Sequence, residues 1–182
     1  MRSGQQLGSG IQRLNLTVMD ISLILKQGLI YSLLLSVSLF LMILVSPRLM
    51  LQDYPKEIQR LVPPKTKKEK LGTFTYGLPF LLTFIFYPLL LGLYYAIQYQ
   101  LKFQDIMLFV WGLMMFFNVW DMIVIDWLVV CVITPKFLIV PGTEGNKGYK
   151  NYLFHFIAFL KGTLITFALS LIISVVIKYL LM

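Results

Sequence analysis

The amino-acid sequence predicts an all-α integral membrane protein, a bundle of four transmembrane helices. Apolar residues of the AVILMFWYC set make up 58% of the 182 residues, charged residues make up 13%, and the mean hydropathy is +0.79. Soluble domains carry about 25% charged residues, so a soluble globular enzyme is excluded. A disordered chain is also excluded, because it needs the opposite balance. The apolar residues fall in four stretches, each long enough to cross a hydrocarbon core, which takes about 20 helical residues.

These four stretches are the predicted spans of a single transmembrane domain, residues 1–182. In chain order they cover about residues 28–46, 73–97, 106–134 and 152–181. The second span contains Pro79 and Pro88, and each proline frees a backbone carbonyl and permits a kink, either static or in a moving helix. The third and fourth spans are longer than a bilayer requires, so they tilt or extend beyond it.

The distribution of Lys and Arg predicts the orientation. Seven basic residues lie in the loop 47–72 and three in the loop 135–150, which is on the same side of the membrane. Five lie on the opposite side. Because cytoplasmic loops carry the excess of basic residues, both loops are predicted in the cytoplasm and both termini outside. A start at Met19, which the sequence leaves open, would remove Arg2 and Arg13 and sharpen the contrast.

The net charge of +8 comes from basic residues that lie next to apolar spans. Anionic lipid headgroups are therefore the predicted partners of the loop 47–72, and nucleic acid is not. Alternatively, the basic residues of this loop only set the topology of the protein and bind no specific partner. Within this loop, Pro55 is placed to begin a short helix that lies flat among the headgroups, and residues 63–70 form an extended basic linker. In the second loop, residues 137–140 are apolar enough to enter the interface.

Polar residues in the third span mark the predicted site. A carboxylate at the bilayer centre costs about 2.5–3.5 kcal/mol on insertion scales, so one found there is a functional hypothesis. At about 100° per residue, Asn118, Asp121 and Asp126 share an arc of about 140°, and this broad face must turn inward. Asp121 is predicted to be more deeply buried than Asp126. It either serves the function or only bonds neighbouring helices.

The composition argues against metal and redox centres. The chain has one cysteine, Cys131, and one histidine, so it lacks a CxxC pair and a multi-histidine site. Asp121 and Asp126 are five residues apart, a spacing at which α-helical carboxylates diverge too far to chelate a metal unaided. No phosphate-binding loop and no catalytic triad is recognisable. We therefore predict no metal and no cofactor.

The fourth span carries small residues at every fourth position, which lets two helix backbones approach closely. This stripe consists of Ala158, Gly162, Thr166, Ser170 and Ser174. The predicted neighbour is the third span, because a short loop joins the two as an antiparallel pair. A similar stripe in the first span comprises Gly28, Ser32 and Ser36.

Two ionisable residues of the fourth span join the predicted site. In the antiparallel pairing, Lys161 lies between the depths of Asp121 and Asp126 and either pairs with one of them or extends to the headgroups. His155 lies nearer the cytoplasm, where it either takes a proton or ligand role or is an ordinary interfacial histidine. The predicted intramembrane polar site therefore comprises Asn118, Asp121, Asp126, His155 and Lys161.

Four motifs stand out in the C-terminal third of the chain. They are Asn118-Val-Trp-Asp121-Met-Ile-Val-Ile-Asp126-Trp, Thr134-Pro-Lys136, Pro141-Gly-Thr-Glu-Gly145 and Tyr152-Leu-Phe-His155-Phe. These motifs resemble those of small bacterial multi-pass membrane proteins of uncharacterised function. The resemblance implies a bacterial source and hence the plasma membrane. It implies no activity and no residue roles.

Three classes of function are consistent with these patterns. The first is a small transporter that uses Asp121, Asp126 and Lys161, and the second is an accessory subunit whose polar groups only hold helices together. The third is an intramembrane enzyme acting on a lipid or isoprenoid headgroup, with His155 and Asp126 doing acid–base work beside the loop 141–145. The first two are favoured over the enzyme. Because four helices form a thin wall around a solute path, a transporter is predicted to be a homo-oligomer or part of a larger complex. A cytoplasmic cavity that reaches Asp121 would argue against the accessory class.

Overall fold

The computed structural model describes the backbone of residues 4–182 and the side chains of residues 21–182. The chain is all-helical, with 84% helix and no strand in the described part. Four of its helical segments are long and apolar enough to cross a membrane, which agrees with the predicted fold class. The side chains of Arg2, Arg13 and Met19 lie outside the described residues.

The described part of the chain forms five α-helices. Their bounds are α1 Gly4–Val45, α2 Lys56–Gln59, α3 Lys67–Tyr99, α4 Phe103–Trp120 and α5 Tyr152–Leu180. A π-helix, Asp121–Ile133, continues α4 without interruption. Short 3-10 turns cover Pro47–Asp53, Lys136–Leu138 and Lys147–Lys150. The candidate spans are Ile21–Val45, Lys67–Tyr99, Phe103–Ile133 and Tyr152–Leu180.

Helix α3 begins at Lys67, earlier than the predicted residue 73. Thr66 forms a capping box with Glu69, in which the Thr66 hydroxyl accepts from the Glu69 amide at 3.2 Å and the Glu69 carboxylate accepts from the Thr66 amide at 2.7 Å. The guanidinium of Arg48 pairs with the same carboxylate. These contacts satisfy the free amides of a helix start. The prediction of an extended linker over residues 63–70 was therefore wrong for its second half, which is the first turn of α3.

Close contacts bring α1 against α4. A Cβ added to Gly28 would lie 2.6 Å from the Phe116 ring, so only glycine allows this approach. Two turns further along α1, the buried Ser36 hydroxyl accepts a hydrogen bond from the Trp120 indole at 3.1 Å. The small residues predicted to pack in the first span therefore lie at a helix–helix contact.

Pro88 is accommodated inside α3 by a neighbouring helix. Proline lacks an amide hydrogen, so the Phe84 carbonyl one turn earlier has no partner within the helix. The Tyr31 hydroxyl of α1 donates to this carbonyl at 2.8 Å, and Tyr31 is fully buried. The freed carbonyl is therefore satisfied between helices, as a membrane interior requires.

The pair formed by α4 and α5 uses the predicted stripe. A Cβ on Gly162 would collide with the Asn118 carboxamide, and Thr166, Ser170 and Ser174 are buried. The Asn118 amide donates to the Phe159 carbonyl at 3.2 Å and to the Thr163 hydroxyl at 3.0 Å. Ala158 differs from the rest of the stripe, because it is exposed. The backbone approach therefore begins at Gly162.

The two long loops pack together as a cap over one end of the bundle, which we call the loop end. The cap comprises residues 47–59 and 135–151. The Tyr54 hydroxyl donates to the Leu138 carbonyl at 2.8 Å, and the Tyr149 hydroxyl accepts from the Val140 amide at 2.9 Å. Tyr54 and the fully buried Ile58 join Leu138, Val140 and Tyr149 in one apolar cluster. The apolar side chains of the two loops therefore pack against each other. The sequence had instead predicted that they face the headgroup region.

Candidate functional site

A cavity of about 500 Å³ lies at the loop end, between the cap and helices α1, α3, the π-helix and α5. Most of its wall is apolar, with aromatic rings from Phe40, Phe80 and Phe154. Its polar residues are Gln52, Asp53, Tyr54, Thr73, Asp121, Asp126 and His155. Gln52 and Asp53 are exposed, so the cavity reaches solvent at the loop end. An apolar pocket with a few convergent polar groups is the usual form of a ligand site.

The π-helix explains why both aspartates of the third span reach this cavity. In a π-helix the amide bonds to the carbonyl five residues earlier, as the Thr134 amide does to the Val129 carbonyl at 2.8 Å. Its wider turns bring residues five apart closer together around the axis than an α-helix does, and Asp121 and Asp126 both line the cavity. The argument from the sequence, that this pair cannot chelate a metal unaided, assumed α-helical spacing. Even so, no cluster of three or more metal-ligating side chains occurs among the described residues.

Asp126 lies beside His155, at the start of α5. The Asp126 Oδ1 atom is 3.0 Å from His155 Nδ1. His155 is 5% exposed, and its Nε2 atom has no hydrogen-bond partner among the described residues. The sequence placed Asp126 level with Phe159, one turn away from this partner. A carboxylate on Nδ1 fixes the ring orientation and leaves Nε2 to act as acceptor or base.

Asp121 lies deeper in the same cavity and is partly exposed to it. Within the described part of the chain, its carboxylate makes no side-chain hydrogen bond and no ion pair. A carboxylate that only held helices together would be bonded to them, because an unsatisfied buried charge is expensive. Its position therefore fits a group that contacts water, protons or a ligand.

Asp53 is a polar residue of the cavity that the sequence did not indicate. It ends the 3-10 turn Pro47–Asp53 and accepts from the Gln52 carboxamide at 2.7 Å. Desolvation by the surrounding protein raises the pKa of the Asp53 carboxyl; Lys65 and Gln52 act against this rise, and Asp126 adds to it. No pattern in the sequence indicated Asp53, because a single aspartate in a charged loop is ordinary and only the tertiary fold brings it to the cavity.

Lys65 is held at the rim near Asp53. Its ammonium donates to the Leu49 carbonyl at 2.7 Å, to the Thr73 hydroxyl at 2.9 Å and to the Gln52 carboxamide oxygen. These three bonds use all three of its protons. Burial lowers the pKa of Lys65, and the charge of Asp53 opposes this change. Lys65 thus fastens the loop to the start of α3.

Three features of the predicted site lie outside the cavity. Asn118 bonds α5, as described above, and does not line the cavity. Lys161 is exposed on α5, and no carboxylate of the described side chains lies within ion-pair distance of its ammonium. The pairing of Lys161 with an aspartate is thus absent from this structure. The loop 141–145 does not line the cavity either; its Thr143 is buried in the cap, bonded to the Tyr149 hydroxyl at 2.6 Å.

The fold and the cavity define the class: an all-helical protein with four helices suited to a membrane and an acidic, apolar-walled cavity at the loop end, within the described residues. Comparison with protein-family models, with curated proteins and with solved structures finds no match in any of the three. The resemblance to small bacterial membrane proteins stays a prediction.

Proposed function

We propose that this protein is a small transporter whose solute enters the cavity from the loop end and meets Asp121. The observation that carries the proposal is the cavity of about 500 Å³ that reaches this carboxylate. An accessory subunit would enclose Asp121 and bond it to neighbouring helices. A transporter needs it accessible, because binding sites of transporters lie near the middle of the membrane.

The packing on the far side of the cavity supports a path that opens to one side at a time. Ile106, Val110, Leu113 and Met114 of α4 have no exposed surface and pack with Ile177 of α5. This layer fills the bundle between the cavity and the end opposite the cap. Alternating access requires such a closed side in each state. Because only four helices surround the path, we propose that the working form is a homo-oligomer or part of a larger membrane complex.

The finer placement of the chain is part of the same proposal. We place the protein in the plasma membrane of a bacterium, with both termini outside and the cap in the cytoplasm. The excess of basic residues in the two loops supports this orientation. The exposed Lys67, Lys68 and Lys70 then face anionic headgroups. Lys161, exposed on α5, extends along the helix toward the same surface.

The test is solute-driven charge movement in proteoliposomes adsorbed on a solid-supported membrane. The solutes are potassium, an alkylammonium, a monosaccharide and a carboxylate, each applied as a concentration jump. We expect a transient current with at least one solute, and we expect Asp121→Asn to abolish it, because the amide keeps the shape but loses the charge and the exchangeable proton. Asp105→Asn is the matched control, since Asp105 is exposed near the start of α4. Equal currents from Asp121→Asn and wild type, or no current with any solute, would refute transport through this site.

A second function is favoured by one specific contact. The Asp126–His155 pair, with Nδ1 at 3.0 Å from the carboxylate and Nε2 unpartnered, has the arrangement of an oriented general base. His155 lies in the first turn of α5, at the loop end of the bundle. The test is incubation of the purified protein with bacterial lipid extract, followed by mass spectrometry. If the wild type converts a lipid and His155→Gln does not, the enzyme function is favoured. If the lipids stay unchanged with the wild type, the enzyme function is excluded.

A further inference from the structure

We propose that the cavity binds the protonated primary amine of a small organic cation, through Asp121, Asp126 and His155. This inference rests on the proposed function and names the chemical class of its solute. It depends on three observations: the direction of the hydrogen bonds in the cavity wall, the charge of the wall, and an unpartnered nitrogen.

The hydrogen-bond donors in the wall are already used by the protein. The Tyr54 hydroxyl donates to the Leu138 carbonyl at 2.8 Å, and the Thr73 hydroxyl donates to the Leu49 carbonyl at 2.7 Å. The carboxamide of Gln52 donates to Asp53. A ligand in the cavity therefore finds few donors left to meet its own acceptors.

The unused groups are acceptors. The Asp121 carboxylate makes no side-chain hydrogen bond within the described residues, and a carboxylate can only accept. At His155, Nδ1 faces Asp126, so in the neutral ring Nδ1 carries the proton and Nε2 has a free lone pair. This Nε2 is buried and has no partner in the described part of the chain. The free hydrogen-bonding capacity of the cavity thus calls for donors on the ligand.

The charge of the wall selects a cation among such ligands. Three carboxylates line the cavity, and no Lys or Arg side chain from residues 21–182 lines it. A primary ammonium offers three donors and no acceptor, whereas a sugar also brings acceptors that would meet only acceptors. The aromatic rings of Phe40, Phe80 and Phe154 also line the cavity, and aromatic rings attract a cation. A metal ion fits less well, because no three metal-ligating side chains form a cluster among the described residues.

The experiment is titration of the purified protein in nanodiscs by calorimetry, at a pH where the alkylammonium is charged. The probe is n-butylammonium, and the comparison compounds are tetramethylammonium, which has no donor, n-butanol, which has no charge, and butyrate. We expect saturable binding of n-butylammonium alone. Asp121→Asn should weaken it roughly tenfold or more, the loss expected when a charged hydrogen bond is removed. Asp105→Asn should bind as wild type does.

A second variant keeps the result interpretable if Asp121→Asn fails to fold. Ala158→Phe fills part of the cavity without replacing a carboxylate, since Ala158 lines the wall and is exposed. It should reduce binding while the melting temperature stays near that of the wild type. Absence of saturable n-butylammonium binding, equal binding of n-butanol, or unchanged affinity in a folded Asp121→Asn would overturn the inference.

The two proposals fail separately. If an Asp121-dependent current is carried by a solute without an amine while n-butylammonium does not bind, the amine inference is wrong and the transporter proposal stands. If n-butylammonium binds through Asp121 but no current follows, the amine site stands and the transporter proposal is wrong.

Discussion

At the residue scale, the cavity is governed by where each ionisable group finds its counter-charge. Asp126 has His155 at 3.0 Å, and Lys65 lies near Asp53 at the rim. Asp121 has no histidine or lysine placed beside it in this way among the described residues. An unpaired carboxylate at this depth carries an insertion cost of about 2.5–3.5 kcal/mol that water, a proton or a cationic ligand must offset. The deepest carboxylate is therefore the one most dependent on what enters the cavity.

Asp53 leads to a prediction about pH. Its pKa in the folded protein is raised above the ordinary value of 3.8, so the folded state holds a proton that the unfolded state releases. The stability that this group contributes is present below its ordinary pKa and is lost as pH rises through the raised pKa. Asp53→Asn should therefore increase the melting temperature at pH 7 and leave it nearly unchanged near pH 4, measured by intrinsic fluorescence. Asp105→Asn is the control, and a lower melting temperature of Asp53→Asn at pH 7 would contradict the sign.

At the residue scale, part of the site was predicted from the sequence. Asp121, Asp126 and His155 were predicted because ionisable residues inside apolar spans are rare and conspicuous. Asp53 lies in a loop where charge is ordinary, and only contacts across the fold place it at the cavity. The register predicted for α5 was one turn off, because Asp126 meets His155 and not Phe159. Lys161 is exposed on α5 and pairs with no carboxylate among the described side chains.

At the scale of elements, the π-helix is the main difference from the sequence-based expectation. Periodicity arguments assume about 100° per residue, and thirteen residues with wider turns, Asp121–Ile133, change which side chains share a face. Nothing in the apolar sequence of this segment marks the change, because π-helical turns are set by packing and are frequent at functional sites. The capping box at Thr66, by contrast, follows the Thr-x-x-Glu pattern and was readable from the sequence.

The contact between α4 and α5 gives the prediction at this scale. Gly162 lies against Asn118 so closely that any Cβ must displace it, whereas Leu164 is 72% exposed on the outer face. Gly162→Leu should separate the two helices and break the bonds from Asn118 to α5, which are worth about 0.6–1.7 kcal/mol each inside membranes. Leu164→Ala should change little, because its side chain faces outward. Thermal unfolding in detergent compares the two, and equal tolerance of both would remove the close-packing argument.

At the scale of the whole molecule, the four spans were predictable and the cap was not. The spans follow from apolar length alone, and the structure extends the second one to Lys67 through its helix cap. The cap depends on contacts such as that between Tyr54 and Leu138, which are 84 residues apart. Side-chain alternation within either loop carries no information about the other. The sequence therefore indicated which segments are long and apolar enough to cross a membrane, and the cavity between them required the tertiary structure.

Orientation is the prediction that belongs to this scale. Ten basic residues lie in the two loops of the cap side and five on the opposite side, and such an excess sets the cytoplasmic face. Single cysteines at Lys68, Lys147 and Gln104, all exposed, report on both ends of the bundle.

In a background with the buried Cys131 changed to alanine, a membrane-impermeant maleimide should label Gln104→Cys from outside intact cells. It should reach Lys68→Cys and Lys147→Cys only after the membrane is permeabilised. The reverse pattern would place the cap outside. The cavity at Asp121 would then open to the exterior, and a solute bound there would be on its way in.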